Sequence, residues 1–93
     1  MTDQPLPEIQ LAVEKAAGWP AKHIESVIVV EGWKDAVVWE GEVEIFLLEG
    51  HPKAKRAYGW RNWEGDFTAV LEIPPVDSPN TAVKMAIAAK ARG

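Results

Sequence analysis

The chain contains no cysteine, which excludes disulfides, thiolate metal sites and a cysteine nucleophile. It has only two histidines, His23 and His51, and no third histidine or spaced carboxylate completes a metal site around them. It has no apolar run approaching the ~20 residues of a membrane span, and no charged-then-apolar leader opens it. A surplus of positive charge is also missing: ten Lys and Arg against fourteen Asp and Glu leave a net charge of -4, with a pI near 5.1. That balance argues against a surface built to coat nucleic acid, because such binding draws its affinity from phosphate neutralisation. The expectation is a cytoplasmic protein with no membrane association, cofactor or metal. What is present is a composition that folds, 47% hydrophobic and 26% charged over 93 residues, enough for one domain with a single core. That domain is expected to span residues 1–93, with residues 1–6 frayed.

The stretch from Val37 to Ile73 carries the clearest pattern. Glu42-Val43-Glu44-Ile45 alternates charged and apolar side chains, as does the region around Arg56, Tyr58 and Trp60, and again Phe67 to Ile73. This is the period of half-buried strands. With Gly50-His51-Pro52-Lys53 as a four-residue hairpin loop, Ile45 falls opposite Tyr58 and Val43 opposite Trp60. With Glu64-Gly65 as a two-residue loop, Tyr58 falls opposite Leu71 and Trp60 opposite Ala69. Val43, Ile45, Tyr58, Trp60, Leu71 and Ile73 then share an inward face, and Phe46, Leu48 and Val70 point outward. Upstream, the β-branched segment Ile24 to Val30 reads as a further strand, closed by Gly32-Trp33-Lys34-Asp35.

Helices flank this region. Pro7 suits a first helical turn and Ile9, Ala12, Val13 and Ala16 recur at helical spacing, until Gly18-Trp19-Pro20 ends the helix and folds Trp19 back over Val13. Pro74-Pro75 ends the last strand, and Asp77-Ser78-Pro79 leads into an alanine-rich helix from Thr81 to Arg92. The expected fold is therefore α+β: helix, four-stranded antiparallel meander, helix, with both helices on the one inward face.

The order of elements resembles the double-stranded RNA-binding domain, a helix, three antiparallel strands and a second helix. The segment Glu49-Gly50-His51-Pro52-Lys53-Ala54-Lys55-Arg56 is loosely similar to the loop between that family's first two strands. The likeness is one of topology, and no functional residue carries over. That family's second helix opens with a lysine cluster, whereas Ser78 to Lys84 offers one lysine.

Two binding sites compete. The favoured one is an aromatic end of the sheet: in a meander the loops holding Trp33 and Trp63 emerge together, and Lys34, Asp35 and Glu64 supply a polar rim. This points to a non-catalytic protein-interaction module, a monomer or weak homodimer. The alternative is a nucleic-acid or anion site on the basic hairpin 50–61, through His51, Lys53, Lys55, Arg56 and Arg61 with Tyr58 and Trp60 interleaved. It is disfavoured because Glu42 faces Arg61 in this register and Glu44 lies beside it. Glu40, Glu42 and Glu44 read as a solvated strand face. Both histidines are expected at the end of the sheet near the second helix's N-terminus, as surface loop residues. No catalytic residue is assigned, because neither Ser26 nor Ser78 has an evident base with an orienting partner.

Overall fold

The computed structural model describes residues 5–62 and 65–91, with Trp33, Lys90 and Ala91 described in their backbone only. The elements run α1 (Leu6–Ala17), β1 (Lys22–Trp33), β2 (Ala36–Leu47), β3 (Arg56–Arg61), β4 (Phe67–Leu71) and α2 (Pro79–Ala91). The strands form one antiparallel sheet in the order β1-β2-β3-β4. The α+β class, the order of elements and the four-strand meander are thus as expected. Residues 1–4 of the segment expected to fray lie outside the described residues, while Leu6 already belongs to α1.

Helix α1 ends at Gly18, whose left-handed backbone (φ 62°) lets its amide bond the Glu14 carbonyl at 2.8 Å, a conformation that only glycine adopts without steric cost. Two side chains then tie the helix to the start of β1. The Glu14 carboxylate accepts the Ala21 amide at 2.9 Å, and the Gln10 amide donates to the Ala21 carbonyl at 2.8 Å. Trp19 folds back against the α1 core, donating its indole N–H to the Glu49 carbonyl at 2.7 Å and meeting His51 edge-on.

The helices take opposite faces of the sheet, which corrects the expectation of one shared face. Ile9 and Val13 of α1 pack with Phe46, Leu48 and Ala57, while Ala82 and Val83 of α2 pack with Val29, Trp39, Val43, Ile45, Tyr58 and Trp60. Adjacent strand residues point to opposite faces, so neighbours such as Ile45 and Phe46 serve different cores. Phe46 and Leu48, expected to point outward, are buried beneath α1. The reason lies in β3, where Tyr58 and Trp60 fill the α2 side and the small residues Ala57 and Gly59 leave a shallow floor on which α1 sits. Across the α2 side Trp39 and Trp60 meet edge-to-face, with centroids 6.0 Å apart, a favourable aromatic geometry.

The β2–β3 register places Ile45 opposite Tyr58 as expected. The β3–β4 register is one residue away from the expected one: Tyr58 pairs with Val70, Trp60 with Thr68 and Ala57 with Leu71. The turn explains it. Asn62 and Asp66 close the loop through Asn62 N–H to the Asp66 carbonyl at 2.8 Å, and Gly65 takes a left-handed φ of 87°. A three-residue loop with glycine in its left-handed position replaces the two-residue one. One extra residue inverts the facing of the whole strand, so Leu71 lies toward α1, Val70 toward α2, and Ile73 lies beyond the strand and is exposed.

Strand β2 pairs with β3 only over Glu44 to Leu47, so the outer part of the β1–β2 hairpin continues as a two-stranded arm. Its tip is Lys34-Asp35, both with positive φ (48° and 66°), the two-residue turn whose twist matches that of the strands. Helix α2 covers one face of the arm and is anchored there by Glu31, whose carboxylate accepts Asn80 Nδ2 at 3.3 Å and lies 3.9 Å from Lys84 Nζ. Ser78 and Thr81 exchange side-chain and backbone hydrogen bonds at the start of α2, capping its first amides.

Candidate functional site

The meander gives every strand two faces, and α1 is too narrow to cover its own. It lies over β3, β4 and the end of β2, leaving the β1–β2 half of that face open. Along β1 this half presents Ser26, Ile28 and Val30; across β2 their partners are Glu44, Glu42 and Glu40. Ile28 is 67% exposed and Val30 49%, large values for β-branched side chains in regular strand. An apolar row therefore runs beside an acidic row, with Glu40 exposed to solvent. This is the combination expected where a partner supplies apolar contact and positive charge.

At the inner end of the strip the chemistry changes. Glu44, expected in the solvated row, is 1% exposed. His23 Nε2 donates to its Oε1 at 2.8 Å, Ser26 Oγ donates to the same oxygen, and the His23 ring rests edge-on against Phe46. A burial of this depth is tolerated because the carboxylate is hydrogen-bonded. Serine, histidine and a carboxylate are thus within contact, but not in the order of a proton relay. A relay holds the imidazole by one nitrogen and leaves the other to take the serine proton, whereas here Nε2 alone faces both groups, 3.3 Å from Ser26 Oγ. The arrangement fixes the carboxylate and the β1–β2 pairing. His23 accordingly lies on the face opposite α2, not beside the N-terminus of α2 as expected.

The basic hairpin is largely committed to the fold. Arg56 reaches Glu72 through Nη2 at 2.8 Å and Nε at 3.1 Å, and the Tyr58 hydroxyl donates to the same Glu72 oxygen. Burial, then the hydrogen bond to Glu72 and its charge, push the Tyr58 phenol above its ordinary value near 10. His51 is bound to its own loop, its Nδ1 accepting the amides of Lys53 and Ala54 at 3.0 Å each. Lys53 and Lys55 are exposed on the loop, and Arg61 is exposed at the end of β3. Of the cations in the alternative nucleic-acid site, Arg56 is therefore offset by Glu72.

Of the expected aromatic end, Trp63 and Glu64 lie outside the described residues, as does the Trp33 side chain. The Trp33 backbone ends β1 opposite Ala36, and Lys34 and Asp35 are exposed at the arm's tip. Among the described residues no group of three His, Asp or Glu could hold a metal ion, and no helix is long and apolar enough to cross a membrane. Ile28 and Val30 are absent from the sequence reading of the site. The available signal is the uninterrupted run Val27-Ile28-Val29-Val30, apolar on both faces of a strand that is covered on one. No protein-family model, curated protein or solved structure matches the chain.

Proposed function

We propose that the protein is a small non-catalytic binding module of the cytoplasm, which engages another protein through the open half of its α1 face. The observation that supports this most is the exposure of Ile28 and Val30 at 67% and 49% on the open face of the edge strand β1, within its regular pairing to β2. Fully burying such a side chain stabilises by about 1.5–3 kcal/mol; scaled to the 67% and 49% still exposed, the two together offer a partner roughly 2–3 kcal/mol of apolar contact. The exposed Glu40, paired with Val30 across β2, selects what covers them. A partner with an apolar centre and a lysine or arginine at its margin matches this edge of the strip, and like charges are rejected.

The test is affinity capture with matched variants. Ile28→Ser with Val30→Ser removes the apolar row at exposed positions and abolishes capture on this reading. Lys53→Glu with Lys55→Glu reverses the free cations of the hairpin and leaves capture intact. If the hairpin variant alone loses its ligand, and binding of a duplex oligonucleotide by the wild type falls steeply with salt, the module binds nucleic acid and the proposal is wrong.

A further inference from the structure

The two edges of the sheet are unlike. Strand β4 is five residues long and, after Glu72 and Ile73, is followed by Pro74-Pro75, a short edge close to residues that cannot donate to a ladder. Strand β1 is twelve residues long, and from His23 to Trp33 it contains neither proline nor lysine. Among the described residues no other strand pairs with its outer side. A long, β-branched, unprotected edge is a template for another strand.

We infer that β1 pairs antiparallel with β1 of a second copy of this chain, about a two-fold axis through Ile28, joining two four-stranded sheets into one. The register follows from the strand's own irregularities. Its pairing to β2 shifts between His23 and Glu25 and again between Glu31 and Gly32, so the regular window is Glu25 to Glu31, and its midpoint is Ile28. Antiparallel self-pairing over that whole window sets Ile28 opposite Ile28 of the second copy, Ser26 opposite its Val30, and Val27 opposite its Val29. Each pair keeps its face, because an axis perpendicular to the sheet carries the α1 side of one copy onto the α1 side of the other. The most exposed apolar side chain of the strand thus meets its own image.

Charge is accommodated on the α2 side. Glu25 falls opposite Glu31 of the second copy, a like pair that alone would oppose association. Lys84 stands 3.9 Å from Glu31, and its side chain is 67% exposed, so the positive charge beside each Glu31 offsets part of that repulsion. A seven-residue strand pair is small beside the ~1,200 Å² of a stable interface, so the dimer is weak, with a Kd of roughly 10–1000 μM. Pairing runs in the plane of the sheet and leaves the open face uncovered. The inference therefore goes beyond the proposed partner, and either can fail without the other.

The chain has no cysteine of its own, so an introduced one reports only on itself. Sedimentation of the wild type up to about 1 mM shows mass rising with concentration. Ile28→Cys, at an exposed position, forms a disulfide dimer under mild oxidation, because paired Cα atoms ~4.5–5.5 Å apart lie within disulfide reach. Phe67→Cys on the β4 edge serves as control and crosslinks at least about tenfold more slowly. Ile28→Lys and Ile28→Glu are each monomeric, and an equimolar mixture of the two regains the dimer. A wild type that stays monomeric throughout overturns the inference. So do a dimer in which Ile28→Cys crosslinks no faster than Phe67→Cys, and a charge pair whose mixture stays monomeric.

Discussion

Replacing Gly59 by alanine tests whether α1 lies on the sheet face opposite α2. Gly59 is central in β3, and a Cβ built there would sit 2.7 Å from Ile9 Cγ2 and 2.8 Å from Val13 Cγ2. Both distances are well inside van der Waals contact. Neither methyl can turn away, because β-branched side chains in a helix are held to essentially one rotamer, so the helix itself must lift. Overpacking of this kind costs about 1–3 kcal/mol. The opposing effect is known in size: alanine in place of glycine in a strand ordinarily stabilises by roughly 0.5–1 kcal/mol. The net expectation is a loss of about 0.5–2 kcal/mol, which lowers Tm by roughly 3–15 °C in a domain of this size. Chemical denaturation measures it directly, and Val13→Ala in the same background should recover part of the loss by making room for the new methyl. A Gly59→Ala protein as stable as the wild type or more so would refute the close approach of α1 to this face.

Three further outcomes are expected. The single tyrosine makes alkaline titration specific to Tyr58: its phenol is raised above the ordinary value near 10, so the folded state holds the proton more tightly than the unfolded chain. The stability this gives is complete below about pH 10 and declines as pH rises beyond it; Tyr58→Phe should lack that decline, and an absorbance titration with its midpoint at the ordinary value would contradict the burial. Glu44→Ala should lower stability by about 1–3 kcal/mol, because His23 and Ser26 lose their shared acceptor, whereas Glu40→Ala on the exposed part of the same row should change it by under ~0.5 kcal/mol; equal effects in denaturant titrations would return both residues to a solvated face. Exchanging Lys34-Asp35 for Asn-Gly, residues that accept left-handed backbone readily, should raise stability by about 1 kcal/mol without altering the fold, and a lower Tm would show that the native side chains hold the tip by contacts of their own.

Much of the fold is legible in the sequence because the relevant signals are local. Period-two alternation at Val43 to Ile45, the glycine stop at Gly18 and the Ser78-Pro79 helix start each rest on neighbouring residues. The two misplacements have a common physical origin. Facing in a strand is decided by parity, and the single glycine of the third loop, Gly65, takes the third loop position instead of the second, which inverts β4. The continuous run Ile45-Phe46-Leu47-Leu48 is the signature of a strand buried on both faces, and assigning it one inward face conceals the room for α1. The open strip is harder to read. Ile28 and Val30 have the composition of core residues, and only the lateral position of α1 leaves them uncovered. Glu44 shows the reverse case, a charge in an apparently polar row that the fold buries and satisfies with partners far away in sequence.

The central claim is that α1 covers half of its sheet face and leaves Ile28 and Val30 open as a binding surface. Methyl relaxation by a neutral, water-soluble paramagnetic probe addresses it residue by residue. Strong relaxation of the Ile28 and Val30 methyls is expected in the free protein, with protection of the Val43, Ile45 and Val29 methyls and loss of the Ile28 and Val30 effect once the captured partner is added. Protection of Ile28 and Val30 in the free protein, or relaxation that the partner leaves unchanged, would contradict it.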